Sequence, residues 1–186
     1  MKRLPLLALL LLPAFGGTVL NPDPTLDGLW FQVTVKAKGR AVLFDGTGFK
    51  KDSGSVPAFV HLVFDESAAD GEPTTTTYAY EVWSETDPDT WTVVGAADVD
   101  VVVTDKDQYI LPDVAALLSD GQTVLGVRST LLIKVKHDQQ GGLKSAKLST
   151  LGGETTSGAT TDGFFYGDAK FAGKTVDEAA LPFTPP

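Results

Sequence analysis

A chain of 186 residues with 24 acidic against 15 basic side chains, a net charge of −9, is long enough for one hydrophobic core and short of two. The sign of that charge argues against nucleic acid and anionic lipid as partners. There is no cysteine, which excludes a disulfide framework, a thiolate nucleophile and a lipid-modified cysteine anchor, so stability has to come from the apolar core alone.

Lys2 and Arg3 precede an apolar stretch, Leu4 to Leu12, broken only at Pro5 and followed by the small-residue exit Ala14-Phe15-Gly16-Gly17. Basic start, short apolar run and small residues three and one positions before a cut are the pattern of a cleavable export signal. The expected organisation is a signal peptide over 1–16 and a single β domain over 17–186, secreted or periplasmic. The apolar stretch is too short to span a bilayer, and no second run of about 18 apolar residues follows, so no membrane span is expected after cleavage. Loss of Lys2 and Arg3 takes the net charge to −11, 13 basic against 24 acidic residues.

Along the chain the dominant period is two. Leu29, Phe31, Val33, Val35 and Ala37 alternate with Trp30, Gln32, Thr34, Lys36 and Lys38, which reads as a strand with one wet face. Ala58 to Phe64 is apolar except for His61 and reads as a strand covered on both sides. Tyr78, Tyr80 and Val82 alternate with Ala79, Glu81 and Trp83, and Val99, Val101 and Val103 with Asp98, Asp100 and Val102. The longest signal places Leu125, Val127, Ser129, Leu131, Ile133 and Val135 on one face against Arg128, Thr130, Lys134 and Lys136, a length that suits a barrel or a large sandwich. Shorter strands are expected at 41–44, 91–95, 143–151 and 164–171, separated by Asp-Gly and Gly-Gly turn signals.

Helical signals are confined to Pro112–Ser119, with proline in the first turn and Gly121 just beyond, and to Val176–Ala180, where Thr175 and Glu178 have capping-box spacing. Loops rich in Gly, Ser, Thr and Asp are expected at 46–55, 66–76 and 152–162. The fold class is all-β: a single-domain antiparallel β-barrel or β-sandwich of about nine strands with one or two short helices.

No catalytic constellation emerges. Nucleophilic catalysis needs a Ser or Cys beside an oriented base, and the chain has no G-x-S-x-G and only His61 and His137 as imidazoles. His61 sits inside an apolar strand and His137 in a turn, and two histidines fall short of a zinc ligand set. No enzymatic activity is expected. Carboxylates cluster better: Asp98 and Asp100 share a strand face, and Asp105 and Asp107 follow in Thr-Asp-Lys-Asp. Oxygen ligands so grouped name a candidate calcium site, with the alternative that aspartates simply mark wet faces and turns of an acidic protein.

Leu26-Asp27-Gly28-Leu29-Trp30 resembles the Gly-x-Trp opening of the lipocalin (calycin) family, and Thr104-Asp105-Lys106-Asp107-Gln108-Tyr109 is similar in spacing to the family's Thr-Asp and Tyr turn motif. The resemblance implies an up-and-down barrel that binds a small apolar ligand in its mouth, with Trp30 closing the floor, Arg128 stacking on it, and Asp105 and Tyr109 at the turn beside it. The function that follows is an exported, non-catalytic binding protein for a small apolar molecule. The alternative is a structural or adhesive envelope β-sandwich with no ligand pocket, whose loops meet an extracellular macromolecule.

Overall fold

The computed structural model describes residues 24–46, 49–64, 76–105, 107–119, 123–160 and 163–186; the expected leader and the 66–75 part of the expected loop lie outside them. Eight strands follow one another around a closed antiparallel barrel. They are β1 (Leu29–Leu43), β2 (Phe49–Phe64), β3 (Thr76–Asp87), β4 (Thr90–Asp105), β5 (Gln108–Ser119), β6 (Thr123–His137), β7 (Leu143–Thr160) and β8 (Gly163–Val176). β8 closes the ring by pairing with β1 from Trp30↔Val176 to Leu43↔Gly163.

The two-residue period decides what fills the ring. Phe31, Val33, Val35 and Ala37 of β1 and Leu125, Val127, Leu131, Ile133 and Val135 of β6 all point inward and are buried, as their alternation predicts. Tyr78, Tyr109, Leu111, Leu148 and Phe171 complete one continuous apolar cluster. An eight-stranded barrel is just wide enough for side chains to pack its interior, and burial of each Val, Leu, Ile or Phe side chain contributes about 1.5–3 kcal/mol.

The end at which β1 begins is plugged. A 3-10 turn, Pro24–Leu26, drives the fully buried Leu26 into the barrel, and the buried Tyr78 hydroxyl accepts the Leu26 N–H at 3.1 Å. Gly28, at φ +68°, lets the chain swing from this plug into β1 and donates its N–H to the Leu62 carbonyl at 2.9 Å. The Asp27 carboxylate accepts the Phe64 N–H at 2.9 Å.

The strand count is eight rather than nine because 41–44 continues β1 to Leu43 and 91–95 continues into the Val99 strand as β4, while one strand replaces an expected helix. Pro112–Ser119 belongs to β5. Its inward residues Tyr109 and Leu111 are followed by Val114, Ala116 and Leu118, a change of parity at a register shift between Leu111 and Val114. Pro112 and Asp113, the latter at φ 64°, form that bulge, a site where proline costs no ladder hydrogen bond. The second expected helix shrinks to a single 3-10 turn, Glu178–Ala180. Much of the expected loops at 46–55 and 152–162 is strand, β2 starting at Phe49 and β7 running to Thr160.

Two seams loosen toward the opposite end. The β2–β3 ladder stops at Ala58↔Ser84, although β2 extends nine residues further from there to Phe49. Among the described residues the β4–β5 ladder holds Val102↔Ile110, Val103↔Tyr109 and Asp105↔Gln108. Beyond it the Tyr80 hydroxyl bridges the seam, accepting the Ala115 N–H at 2.9 Å and donating to the Ala115 carbonyl at 3.4 Å.

Candidate functional site

The parted β2 and β3 leave a cleft of about 500 Å³ in the barrel mouth, lined by Ser55–Pro57, Ser84–Pro88 and Ser119. β2 supplies Val56 and Pro57 as an apolar wall, and the β3–β4 hairpin supplies Pro88 as a lip. The buried Ser84 hydroxyl donates to the Pro57 carbonyl at 3.4 Å, while Ser55 and Thr86 stand exposed with theirs. At the tip of the hairpin Asp89 adopts φ 59°, and its N–H is held by the Glu85 carboxylate at 2.8 Å. The cleft therefore has a rigid lip and a lining of apolar carbon edged by hydroxyls. That lining suits reversible binding.

On the outside of β1–β4 all three tryptophans of the chain converge. Strand register places Trp30 beside His61 and His61 beside Glu81, and Phe59 beside Trp83. The His61 ring stacks on Trp30 at 4.1 Å and 6°. Its Nδ1 lies 3.6 Å from Glu81 Oε2, the oxygen that accepts the Trp83 Nε1–H at 2.8 Å. Over this floor lies the segment after β8. Phe183 is near-parallel to Trp83 (4.9 Å, 14°) and to Trp91 (5.4 Å, 22°) and edge-on to Trp30 and Phe59. Leu181 and Val176 pack against the same cluster.

The expected site residues are dispersed. Trp30 faces outward into this cluster, so the floor role implied for it falls to Leu26. Arg128 points away from Trp30 on β6 and makes a two-pronged ion pair with Asp113 of the β5 bulge, whose carboxyl the hydrogen-bonded Arg128 holds below its ordinary range. Tyr109 is buried in the lumen. Asp105 pairs with Gln108 through its backbone, and its side chain lies outside those described.

Of the candidate calcium ligands, Asp98 and Asp100 stand on the outer face of β4, and Asp100 accepts a hydrogen bond from the Thr77 hydroxyl at 2.8 Å. Asp107 lies 3.2 Å from His137 Nε2. Among the described residues no three carboxylate or imidazole side chains converge in the way a metal ion requires.

Sequence reasoning missed the cleft and the aromatic wall. The wall left part of a signal in the sequence: Trp83 falls on an outward position by parity, and Leu181-Pro182-Phe183 is an apolar triplet after the last strand, whereas Trp91 shares the parity of the inward Val99 and reaches the outside only through the register shift beside Trp83. The cleft left none, because it arises where a ladder ends. Comparison of the chain with protein-family models, with curated proteins and with solved structures finds no match.

Proposed function

We propose that the protein is an exported, non-catalytic binding protein that holds a small, largely apolar molecule in the mouth of its barrel. The observation that carries this reading is the cleft of about 500 Å³ where β2 and β3 part, within the range of about 300–1,000 Å³ usual for ligand pockets. Val56, Pro57 and Pro88 offer the apolar contact, and Ser55, Thr86 and Ser119 offer hydroxyls for a polar end. The lower barrel is packed with its own side chains, so the ligand sits at the rim rather than deep inside. The lipocalin resemblance points to the same class of ligand.

Native mass spectrometry of protein purified from its own host tests the proposal directly, together with titration of the neutral apolar dye N-phenyl-1-naphthylamine. A stoichiometric organic adduct is expected, and dye binding about tenfold weaker in the rim variant Pro57→Glu/Thr86→Glu, since a carboxylate on an apolar contact must be desolvated. A bare polypeptide mass with dye affinity indifferent to the rim variant overturns it.

A further inference from the structure

Although the chain is acidic, its cations gather on one wall. Lys36 and Lys38 of β1, Lys170 and Lys174 of β8, Lys147 of β7 and Lys134 of β6 all point outward and are exposed. Strand register sets them directly against one another: Lys134↔Lys147, Lys147↔Lys174 and Lys36↔Lys170. Adjacent strands lie about 4.8 Å apart, and like charges directly opposed across strands are destabilising. Among the described residues none of these lysines is within ion-pair distance of a carboxylate. The fold thus carries a row of three ammonium groups and a further pair that work against its own stability.

The same wall has a trough. Gly39 of β1 pairs with Gly167 of β8, and these positions bring the two backbones so close that a methyl on either would meet the other strand. Lys36, Lys38, Arg40 and Lys170 border a depression of about 690 Å³, with Asp168 of β8, set opposite Lys38, as the one carboxylate among its described lining residues. Farther along the wall, toward the mouth, exposed aromatic rings follow: Tyr166 (45 % exposed), paired with Arg40, then Phe164 (57 %), set edge-to-face at 5.1 Å on Phe44 (64 %).

We propose that this wall is a docking surface for a linear acidic polysaccharide, a chain of sugars bearing carboxylates at intervals. The lysine row and trough meet the carboxylates, and the exposed rings offer flat apolar faces to the C–H faces of the sugars. A nucleic acid fits less well, because its charge is far denser and the rest of this acidic chain repels it. A lipid surface would engage the aromatic tip but leave the Lys134–Lys147–Lys174 row, at the far end of the wall, without a role.

The test is affinity electrophoresis and calorimetry of the whole purified protein with sodium alginate, against neutral dextran, single-stranded DNA and phosphatidylglycerol vesicles. Alginate binding is expected to weaken with added salt and to fall about tenfold in Lys134→Gln/Lys147→Gln/Lys174→Gln, which removes three exposed ammonium groups together. It should fall several-fold in Phe164→Ala/Tyr166→Ser with the salt dependence unchanged, a readout that a purely electrostatic surface would not give. Asp98→Asn/Asp100→Asn on the outer face of β4 should not weaken it. Absence of alginate binding, or binding unchanged by the lysine variant, overturns the proposal. So does tighter binding to vesicles or to DNA than to alginate.

Discussion

The outer walls of this barrel treat two kinds of unfavourable surface in opposite ways. On β1–β4, Trp30, Phe59, Trp83 and Trp91 form an apolar patch, and the chain covers it with its own segment 177–186, Phe183 lying flat on two indoles. On β6, β7, β8 and β1, opposed lysines repel one another and nothing in the described chain covers them. The contrast follows from what water does for each. Exposed apolar area costs about 25 cal/mol per Å² and is relieved by any apolar cover, whereas ammonium groups are well hydrated and only their mutual repulsion remains, screened by salt. A covered wall is accounted for by stability; an uncovered, mutually repelling one asks for a partner.

The largest effect should come from lifting the cover. Phe183→Ala removes a half-buried ring that touches four other aromatic rings, and is expected to cost about 2–3 kcal/mol in urea unfolding, below the full cost of a core Phe→Ala. Trp fluorescence should shift to the red with it, since Trp83 and Trp91 gain water. An unfolding midpoint equal to that of the unaltered protein would mean that segment 177–186 merely rests on the wall, and the contrast between the walls would fail.

Next in size is the seam that bounds the aromatic wall. Tyr80→Phe leaves the Ala115 N–H without the acceptor it has at 2.9 Å where β4 and β5 have stopped pairing. A loss of about 1–1.5 kcal/mol is expected, with the Ala115 amide exchanging its hydrogen faster than its neighbours in β5. Unchanged exchange at Ala115 would show that the seam is held by other groups.

The basic wall should respond with the opposite sign. Lys147 stands between Lys134 and Lys174, so Lys147→Gln is expected to stabilise the protein by about 0.2–1 kcal/mol. The gain should disappear in 1 M salt, where the screening length is about 3 Å. A destabilising result would mean that the lysine stem's packing outweighs the repulsion, and would remove the argument that this wall is kept for a partner.

The barrel was legible wherever alternation was clean. β1 and β6 keep one parity over their central turns of pleat, and every inward residue could be read from the sequence. Legibility failed where parity broke. In β5 the Pro112–Asp113 bulge turns two short alternations into a spacing that resembles a helix, and only the neighbouring strands settle it. The expected double cover of 58–64 was half right for a reason sequence cannot see: Phe59 is covered from outside by Phe183, while Val63 is 42 % exposed. The site residues suggested by motif fell apart because Trp30 obeys the parity of β1 rather than the motif. The cleft and the lysine row depend on register between strands distant in sequence, which one strand's pattern does not contain.

The smallest effect sharpens the comparison at its boundary, where the bulge places Asp113 opposite Arg128 on the far edge of the basic wall. Here a cation has its own carboxylate, so the pair should behave unlike the opposed lysines. The Asp113 carboxyl sits below its ordinary value of 3.8 because Arg128 hydrogen-bonds its charged form. A group depressed by folding supplies stability that is complete above its unfolded pKa and drains away as pH falls through the folded one. The stability difference between the protein and Asp113→Asn should therefore be flat above about pH 5 and shrink as acid protonates the carboxyl. Asn is the informative substitution because, like Asp, it tolerates the left-handed backbone that position 113 requires, so only the charge is removed. Both partners are more than half exposed, and solvent screening keeps the effect the smallest of the four. A difference that did not change on acidification would mean that the pair contributes through shape rather than charge.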